Sequence, residues 1–484
     1  MSILAVSAYV LAIIWFVRQE NSDGGKTSPA IWLPVVWLCI GGSRMISQWL
    51  DIAPEVSVQQ LSDGSPLDRN ILMGFVLIGL SILATRKQRV KALLSSNLVI
   101  VLFILYCGVS LMWSDYPLVA AKRWVKGLGD LVMVLVVLTE GSPQVAYRRC
   151  LAYAGFYFVP VSVILVKYYP ELGRAYDEWT FMPIYVGVTT NKNELGMICL
   201  VTGLASVWRV LSGLKDPTYR LRTHGIKLLP HFVVALMAIW LLRKANSATS
   251  LSCFLIGSAF LLATLMTSFG KKSGVIHTLV VCSISVPVLA LFASIGSGMV
   301  ESLGRDATLT GRTDIWKLVI NMTTNPILGA GYESFWAGAR LAKIWSMYWW
   351  HPNEAHNGYI EVFINLGVVG LLLFFLMIMK GYIAAVRRMR FEPTESVIRI
   401  SFILVTLIYN LSEAALKKMH PLWICLLLSI VVLPKSLGNS IGGTPETRKR
   451  RLVMGWPATG ERLVHTTVKW HEGASENGSL DPVR

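Results

Sequence analysis

Charge is scarce in this chain. Charged residues make up 15% of its 484 positions against 54% hydrophobic, and mean hydropathy is +0.55. A soluble protein of this length would divide into two or three domains with well-charged surfaces, and this composition argues against one. Acidic residues are the scarcer sign, 28 against 45 basic ones, which leaves a net charge of +17. Cysteine is sparse as well. The seven (39, 107, 150, 199, 253, 282 and 425) lie in or beside apolar runs at no metal-ligand spacing, so neither a disulfide framework nor a zinc site is indicated. There is no P-loop, no Gly-x-Ser-x-Gly, no His-Glu-x-x-His, and no Asp-x-Asp in the loops read as outer. These absences disfavour nucleotide hydrolysis, serine hydrolase chemistry, a structural or catalytic metal, and a metal-bound diphosphate. No cofactor is indicated. The first apolar run has no basic region before it and no small-residue cleavage site, which speaks against a cleavable signal peptide.

What the chain does have is long apolar runs. They read as Ile3–Val17, Ile31–Leu50, Ile71–Ala84, Leu93–Trp113, Leu128–Leu138, Leu151–Tyr168, Leu195–Leu211, Leu228–Leu242, Leu251–Met266, Val275–Ile295, Tyr359–Met379, Val397–Leu411 and Leu422–Leu433. Runs near 20 residues cross ~30 Å of hydrocarbon as helices. The expectation is an all-α polytopic membrane protein with about 12–13 transmembrane helices. The basic clusters Arg86–Lys91, Arg148-Arg149, Lys215–Lys227, Lys271-Lys272 and Lys380–Arg390 then fall on one face, which the positive-inside rule makes cytoplasmic. A long polar and aromatic loop, 297–356, falls on the other, periplasmic, face before the last three helices. Three regions follow: N-terminal helices (1–92), a membrane domain containing the loop (93–434), and a basic, disordered cytoplasmic tail (435–484) near anionic headgroups. Because the positive charge sits in such clusters, it points to membrane lipids and not to nucleic acid.

Cations on the outer face break the topological rule and so carry information. They are Arg123, Lys126, Lys192, Arg243, Lys244 and Arg312. Cations held near membrane depth are costly and line a pathway or bind an anion, and guanidinium suits phosphate oxygens. An anionic, lipid-linked diphosphate fits. An equally open reading makes each an interfacial anchor, or a partner for Asp115, Asp130 or Glu194. Thr313 reads as the N-cap of a short amphipathic helix, Asp314–Met322, lying on the membrane with Ile315, Leu318, Val319 and Met322 on one face. His356 and Asn357 begin the eleventh span. A helix start favours the neutral imidazole, which is the form that takes up a proton as a general base. The alternative for His356 is a capping or packing role. Gly367 and Gly370 read as sites of close helix packing.

Several of these residues form patterns. They are Gly311-Arg312-Thr313-Asp314-Ile315-Trp316, then Asn325–Tyr332, then His356-Asn357, nine residues, and Gly367-Val368-Val369-Gly370. Others are Ser110–Pro117 with Lys122-Arg123, Asn191–Gly196, Ser247–Leu251 and Asn410-Leu411-Ser412-Glu413. Together, over about residues 95 to 415, they resemble the O-antigen ligase/polymerase superfamily, and within it exopolysaccharide polymerases of the ExoQ type. The resemblance implies a GT-C-like, metal-independent glycosyltransferase of the bacterial inner membrane. Its active site would face the periplasm and polymerise undecaprenyl-diphosphate-linked repeats. Arg312 and His356 would be catalytic, and Arg123, Lys192, Arg243, Asn357 and Asp314 would bind substrate. Partners would be the lipid-linked oligosaccharide donor, a glycan acceptor, membrane lipids, and flippase and chain-length or export proteins. Ala248 stands where ligase-like members carry a basic residue, and Arg243 or Lys244 would take that role. Ligation of a finished glycan to lipid A-core or to protein is the alternative. A small-anion transporter, bicarbonate-like, is a reading of another class, and it lacks the internal repeat that transporters show.

Overall fold

A chain in lipid must pair its own backbone polar groups, which favours helices. In the computed structural model every apolar run named above is largely helical, though Ile31–Leu50 is interrupted after Gly41 and Leu93–Trp113 bends by 90°. The structure describes residues 2–22, 24–52, 57–58, 64–177, 180–215, 221–267, 272–296 and 309–434. The expected tail (435–484) and the first part of the long loop (297–308) lie outside these. The helices are α1 (Ser2–Ser22), α2 (Trp32–Gly41), α3 (Pro66–Thr85), α4 (Lys87–Ser96), α5 (Leu98–Val109), α6 (Pro117–Leu138), α7 (Pro143–Tyr168) and α8 (Lys192–Leu214). They continue as α9 (Leu221–Ala245), α10 (Ala248–Met266), α11 (Ser273–Gly296), α12 (Leu309–Asn321), α13 (Gly338–Met347), α14 (Gly358–Arg388), α15 (Pro393–Tyr409) and α16 (Pro421–Ile430). A small antiparallel hairpin joins β1 (Arg174–Tyr176) to β2 (Pro183–Tyr185). Among the described residues, six helices are long and apolar enough to cross a membrane alone: α3, α7, α8, α9, α10 and α14. α4 and α5 form one apolar pair bent by 90°.

α16 is buried along its whole length, and α8 and α15 nearly so, so these helices form the centre of the bundle. All seven cysteines are free thiols. The two ends of α7 separate two sets of loops. Near its start, Arg148 pairs with Glu20 at 3.2 Å, Arg86 with Glu140 at 2.5 Å, and Lys227 reaches Ser22 O at 3.3 Å. Beyond its end, Arg44 N meets Val188 O at 3.0 Å. Arg44 is therefore not inside a span: α2 stops at Gly41, and the arginine belongs to a turn at this end. The loop after α12 lies at this end too, through Ser114 Oγ to Ser334 Oγ at 2.7 Å.

Three local expectations are corrected here. α12 already runs from Leu309, so Thr313 is not its N-cap. The apolar face of α12 is covered by protein. Ile315 and Val319 are buried with Phe335, Trp336, Leu341, Ile344, Ala355 and Ile364 in a second, smaller core, so α12 and α13 form a cap over the bundle and not a surface helix on lipid. Finally, Gly367 does not serve helix packing. It breaks α14, with φ 65° and ψ −166°, a left-handed position that suits glycine.

The 326–331 segment fills this break. Ala330 N donates to Ile364 O at 3.0 Å and Gly331 N to Asn365 O at 2.9 Å; Val368 N donates to Pro326 O at 2.9 Å and Val369 N to Ile327 O at 3.3 Å. The groups released by the break are thus re-paired, as buried backbone requires. The approach is so close that a Cβ on Gly367 would sit 2.1 Å from Ile327 O.

Candidate active site

The break and the loop after α15 bring four charged side chains together around the imidazole of His356. Arg312, on α12, donates through Nη1 to Ser412 O and through Nη2 to Glu413 Oε1 at 3.2 Å. Glu413 Oε2 lies 3.5 Å from His356 Nδ1, and Glu354 Oε1 lies 3.3 Å from the same nitrogen. Neither carboxylate is aligned as a hydrogen bond, so Nδ1 is buried without a bonded partner. Glu354 Oε2 accepts from Lys417 Nζ at 2.5 Å. The order is Arg312, Glu413, His356, Glu354, Lys417, with a cation–carboxylate pair on either side of the imidazole. Burial alone would raise the Glu354 carboxyl, but Lys417 and His356 beside it hold it at about 2. Burial likewise opposes the Lys417 ammonium, and Glu354 more than reverses this, raising it above its ordinary value.

Backbone geometry fixes the histidine. His356 has φ 51°, a left-handed conformation costing a non-glycine residue about 1–2 kcal/mol. Such strain persists where its surroundings enforce it. Asn357 is the N-cap of α14: Oδ1 accepts from Tyr359 N and Ile360 N at 3.0 and 3.1 Å, and Nδ2 donates to Leu411 O at 3.0 Å. Gly358 N donates to both Asn410 O and Glu413 O at 3.0 Å. The asparagine therefore holds the 410–413 turn against the helix start, and its side chain is occupied in doing so.

Beside this cluster opens a cavity of about 530 Å³. Arg123 lines it, as do Glu354 and Lys417, while Arg312 and His356 do not. Arg123 donates to Glu333 O, and Glu333 in turn holds Lys418. The other expected substrate-binding residues are placed apart. Lys192 is paired with Asp177 at 2.8 Å, although its neighbour Asn193 donates to Glu413 Oε1 at 3.3 Å. Arg243 is exposed at the end of α9, and Asp314 is exposed on α12; among the described residues neither contacts the cluster. Lys244 lies over the Tyr185 and Trp240 rings, 5.2 and 5.9 Å from their centroids.

Sequence reasoning picked out Arg312 and His356 but gave no role to Glu354, Glu413 or Lys417. Glu413 stood within a recognised pattern, Asn410–Glu413, and that was the available signal. Donor atoms of Glu354, His356 and Glu413 lie within 4.8 Å of one another, an arrangement that could hold a metal ion. Arg312 and Lys417 already supply the countercharge there. Two carboxylates lie 3.3 and 3.5 Å from Nδ1, so their negative field favours the proton on that nitrogen and leaves Nε2 to accept one.

Residues 232–375 match the family described as O-antigen ligase, a span that includes Arg312, His356 and the break at Gly367. Over 311 residues the chain is 21% identical to the exopolysaccharide production protein ExoQ of Rhizobium meliloti, covering 62% of this chain and 68% of that one. It is 21% identical over 351 residues to a Rickettsia prowazekii protein named "Putative polysaccharide ligase", covering 69% and 80%. A similarly named Rickettsia felis protein is 25% identical over 213 residues, covering 41% and 51%.

Proposed function

We propose that this chain is an O-antigen ligase-like, multi-pass membrane enzyme of polysaccharide biosynthesis that forms glycosidic bonds at the periplasmic face of a bacterial inner membrane. It polymerises oligosaccharide repeats carried on undecaprenyl diphosphate, without a metal ion. An acceptor sugar hydroxyl attacks the anomeric carbon of the donor. The new C–O bond forms as the bond from that carbon to the diphosphate oxygen breaks, and its electron pair leaves with the diphosphate. Nε2 of His356 takes the hydroxyl proton. The imidazolium that results lies 3.3 and 3.5 Å from the Glu354 and Glu413 carboxylates, which stabilise it as it forms. Arg312 meets the negative charge growing on the leaving diphosphate, steadied by Glu413. Asn357 positions the histidine through the turn it ties.

The observation that carries this reading is the pair of carboxylates on one histidine nitrogen, with Arg312 sharing one of them. Reconstituted enzyme given lipid-linked repeats tests it. His356→Ala and Arg312→Ala should each abolish chain growth while remaining in the membrane at normal abundance, and wild-type rates in both would remove the assignment. The names of the Rickettsia relatives keep ligation as a second reading. It would show as transfer to lipid A-core or protein in place of chain growth.

A further inference from the structure

Two lysines of one turn hold two glutamates on either side of α13, and a carboxylate deep in the bundle holds that turn. We infer that Asp130 of α6 is a positioning residue for the reaction: it fixes the 417–420 turn, which places Lys417 on Glu354 and so sets the charge beside His356. The inference rests on the glycosyl-transfer reading and extends its machinery to a residue outside both the cluster and the cavity.

Asp130 is fully buried, and a carboxylate in such a place is costly unless donors satisfy it. It has two. Trp37 Nε1, on α2, donates to Oδ1 at 2.8 Å, and Met419 N donates to Oδ2 at 2.8 Å. Neither donor carries a charge. A residue that merely filled the core at this point would be apolar; an acid serves to accept the two N–H groups.

The bond from Met419 matters because of the turn it belongs to. His420 N donates to Lys417 O at 3.3 Å, closing a four-residue turn with Lys418 and Met419 at its centre. Met419 has φ 61° while Lys418 is not left-handed, the pattern of a type II turn, whose third position favours glycine or asparagine. A methionine there prefers the commoner type I turn, which is reached by turning the central peptide over. That would swing Met419 N away from Asp130 and bring Lys418 O towards it. A carboxylate accepts from the first and repels the second, so Asp130 selects the strained form. Gly41, at the end of α2, closes the other side, where Met419 O leaves no room for a side chain. The turn held in this way puts Lys417 Nζ on Glu354 Oε2 at 2.5 Å and Lys418 on Glu333; Lys418 N also donates to Glu333 Oε1 at 3.1 Å. Glu354 in turn stands 3.3 Å from His356 Nδ1. The line from Asp130 through Met419, Lys417 and Glu354 to His356 is how a carboxylate inside the bundle bears on the base.

Acylation of Lys417 by an N-hydroxysuccinimide ester, followed residue by residue by mass spectrometry on the full-length protein in detergent, tests the positioning without any turnover. In the wild type the pair with Glu354 should slow it, and Glu354→Gln marks the rate of a released amine. Asp130→Asn should bring Lys417 most of the way to that rate; labelling as slow as in the wild type overturns the inference. Chain growth gives a second readout. Asp130→Asn and Lys417→Gln should each lower kcat about tenfold, and the two together no further than either alone, because both act through Glu354. Losses that multiply instead would give Asp130 a role in packing only, and overturn the inference as well. Glycine takes a positive φ without strain, so adding Met419→Gly to Asp130→Asn should restore slow labelling and part of the lost rate. No recovery, or an Asp130→Asn chain that fails to fold with and without Met419→Gly, counts against the inference. If chain growth survives His356→Ala and Arg312→Ala, the catalytic reading falls instead, and the labelling of Lys417 still reports on Asp130.

Discussion

Glu413→Gln removes one charge and keeps the shape. Glu413 is nearly buried, with 8% of its side chain exposed, and touches Arg312 at 3.2 Å and His356 at 3.5 Å. At an effective dielectric near 20, two unit charges that far apart interact by roughly 5 kcal/mol. Water reaches Arg312 and His356 in part, each being 27% exposed, and Glu354 remains beside the imidazole. A net loss of about 2–4 kcal/mol of transition-state stabilisation is therefore expected, a fall of roughly thirty- to thousandfold in kcat. The amide can still accept from Asn193, and the Glu413 carbonyl still accepts from Gly358 N, so the 410–413 turn should hold. The assay is chain growth by purified, reconstituted enzyme from a lipid-linked donor, with thermal unfolding as the control for folding. A Glu413→Gln enzyme that polymerises within threefold of the wild type would refute the idea that this carboxylate supports the imidazolium and steadies Arg312.

Three other outcomes follow from the same geometry. Gly367→Ala places a Cβ 2.1 Å from Ile327 O at a left-handed position and displaces the 326–331 segment; the strain and two lost hydrogen bonds amount to about 3–6 kcal/mol, read as lower thermal stability and loss of chain growth. Acid should weaken the fold through Glu354. Its carboxyl is held at about 2 against an ordinary 4.5, so its contribution, about 3 kcal/mol, is complete above pH 4.5 and is lost as pH falls from there through 2. Lys417 is raised, so its contribution is complete below its ordinary value of 10.5 and the pair should be insensitive to pH between about 5 and 10. Thermal midpoints from pH 7 to pH 3 measure this, and Glu354→Gln should start lower and flatten that decline. Chelation with EDTA should leave chain growth unchanged, and loss restored by a divalent cation would instead assign Glu354, His356 and Glu413 to a metal.

The helices were legible because a run of apolar residues near 20 long has one cheap conformation in lipid. Arg312 and His356 were legible as groups of unusual chemistry in the loop expected on the outer face. What joins them was not. Glu413 reaches them because the 410–420 segment folds back onto the start of α14, and Glu354 because the chain before His356 turns through left-handed residues at 351 and 356; neither event has a periodic signature. Lys192 and Arg123 looked alike in sequence, yet Asp177 takes one while the other faces the cavity. The face of α12 was visible as apolar, but periodicity does not distinguish lipid from a protein cover. At Gly367 the side chain was read and the backbone was what mattered: in an apolar run a glycine looks like a packing site, and its positive φ appears only in three dimensions.

That break also bears on where the reactive groups stand. After Gly367 the helix continues to Arg388, a length of about 31 Å at 1.5 Å per residue, sufficient by itself to cross the hydrocarbon. Its outward apolar stripe (Val368, Leu372, Phe375, Leu376 and Met379) begins immediately after the break, and these residues are the most exposed large hydrophobic ones of the helix. Before the break, Tyr359, Ile360 and Phe363 are half-covered by protein, and Glu361 accepts from Trp336 Nε1 at 3.0 Å. The 358–366 segment is therefore surplus to spanning, and its surroundings are the cap and not lipid. Breaking the helix lets the 368–388 part, long enough to cross a membrane, carry the 358–366 part and His356 beyond it, within the cap. In the proposed reaction, that is where a diphosphate joining a lipid tail to a sugar would bring the anomeric carbon to the histidine.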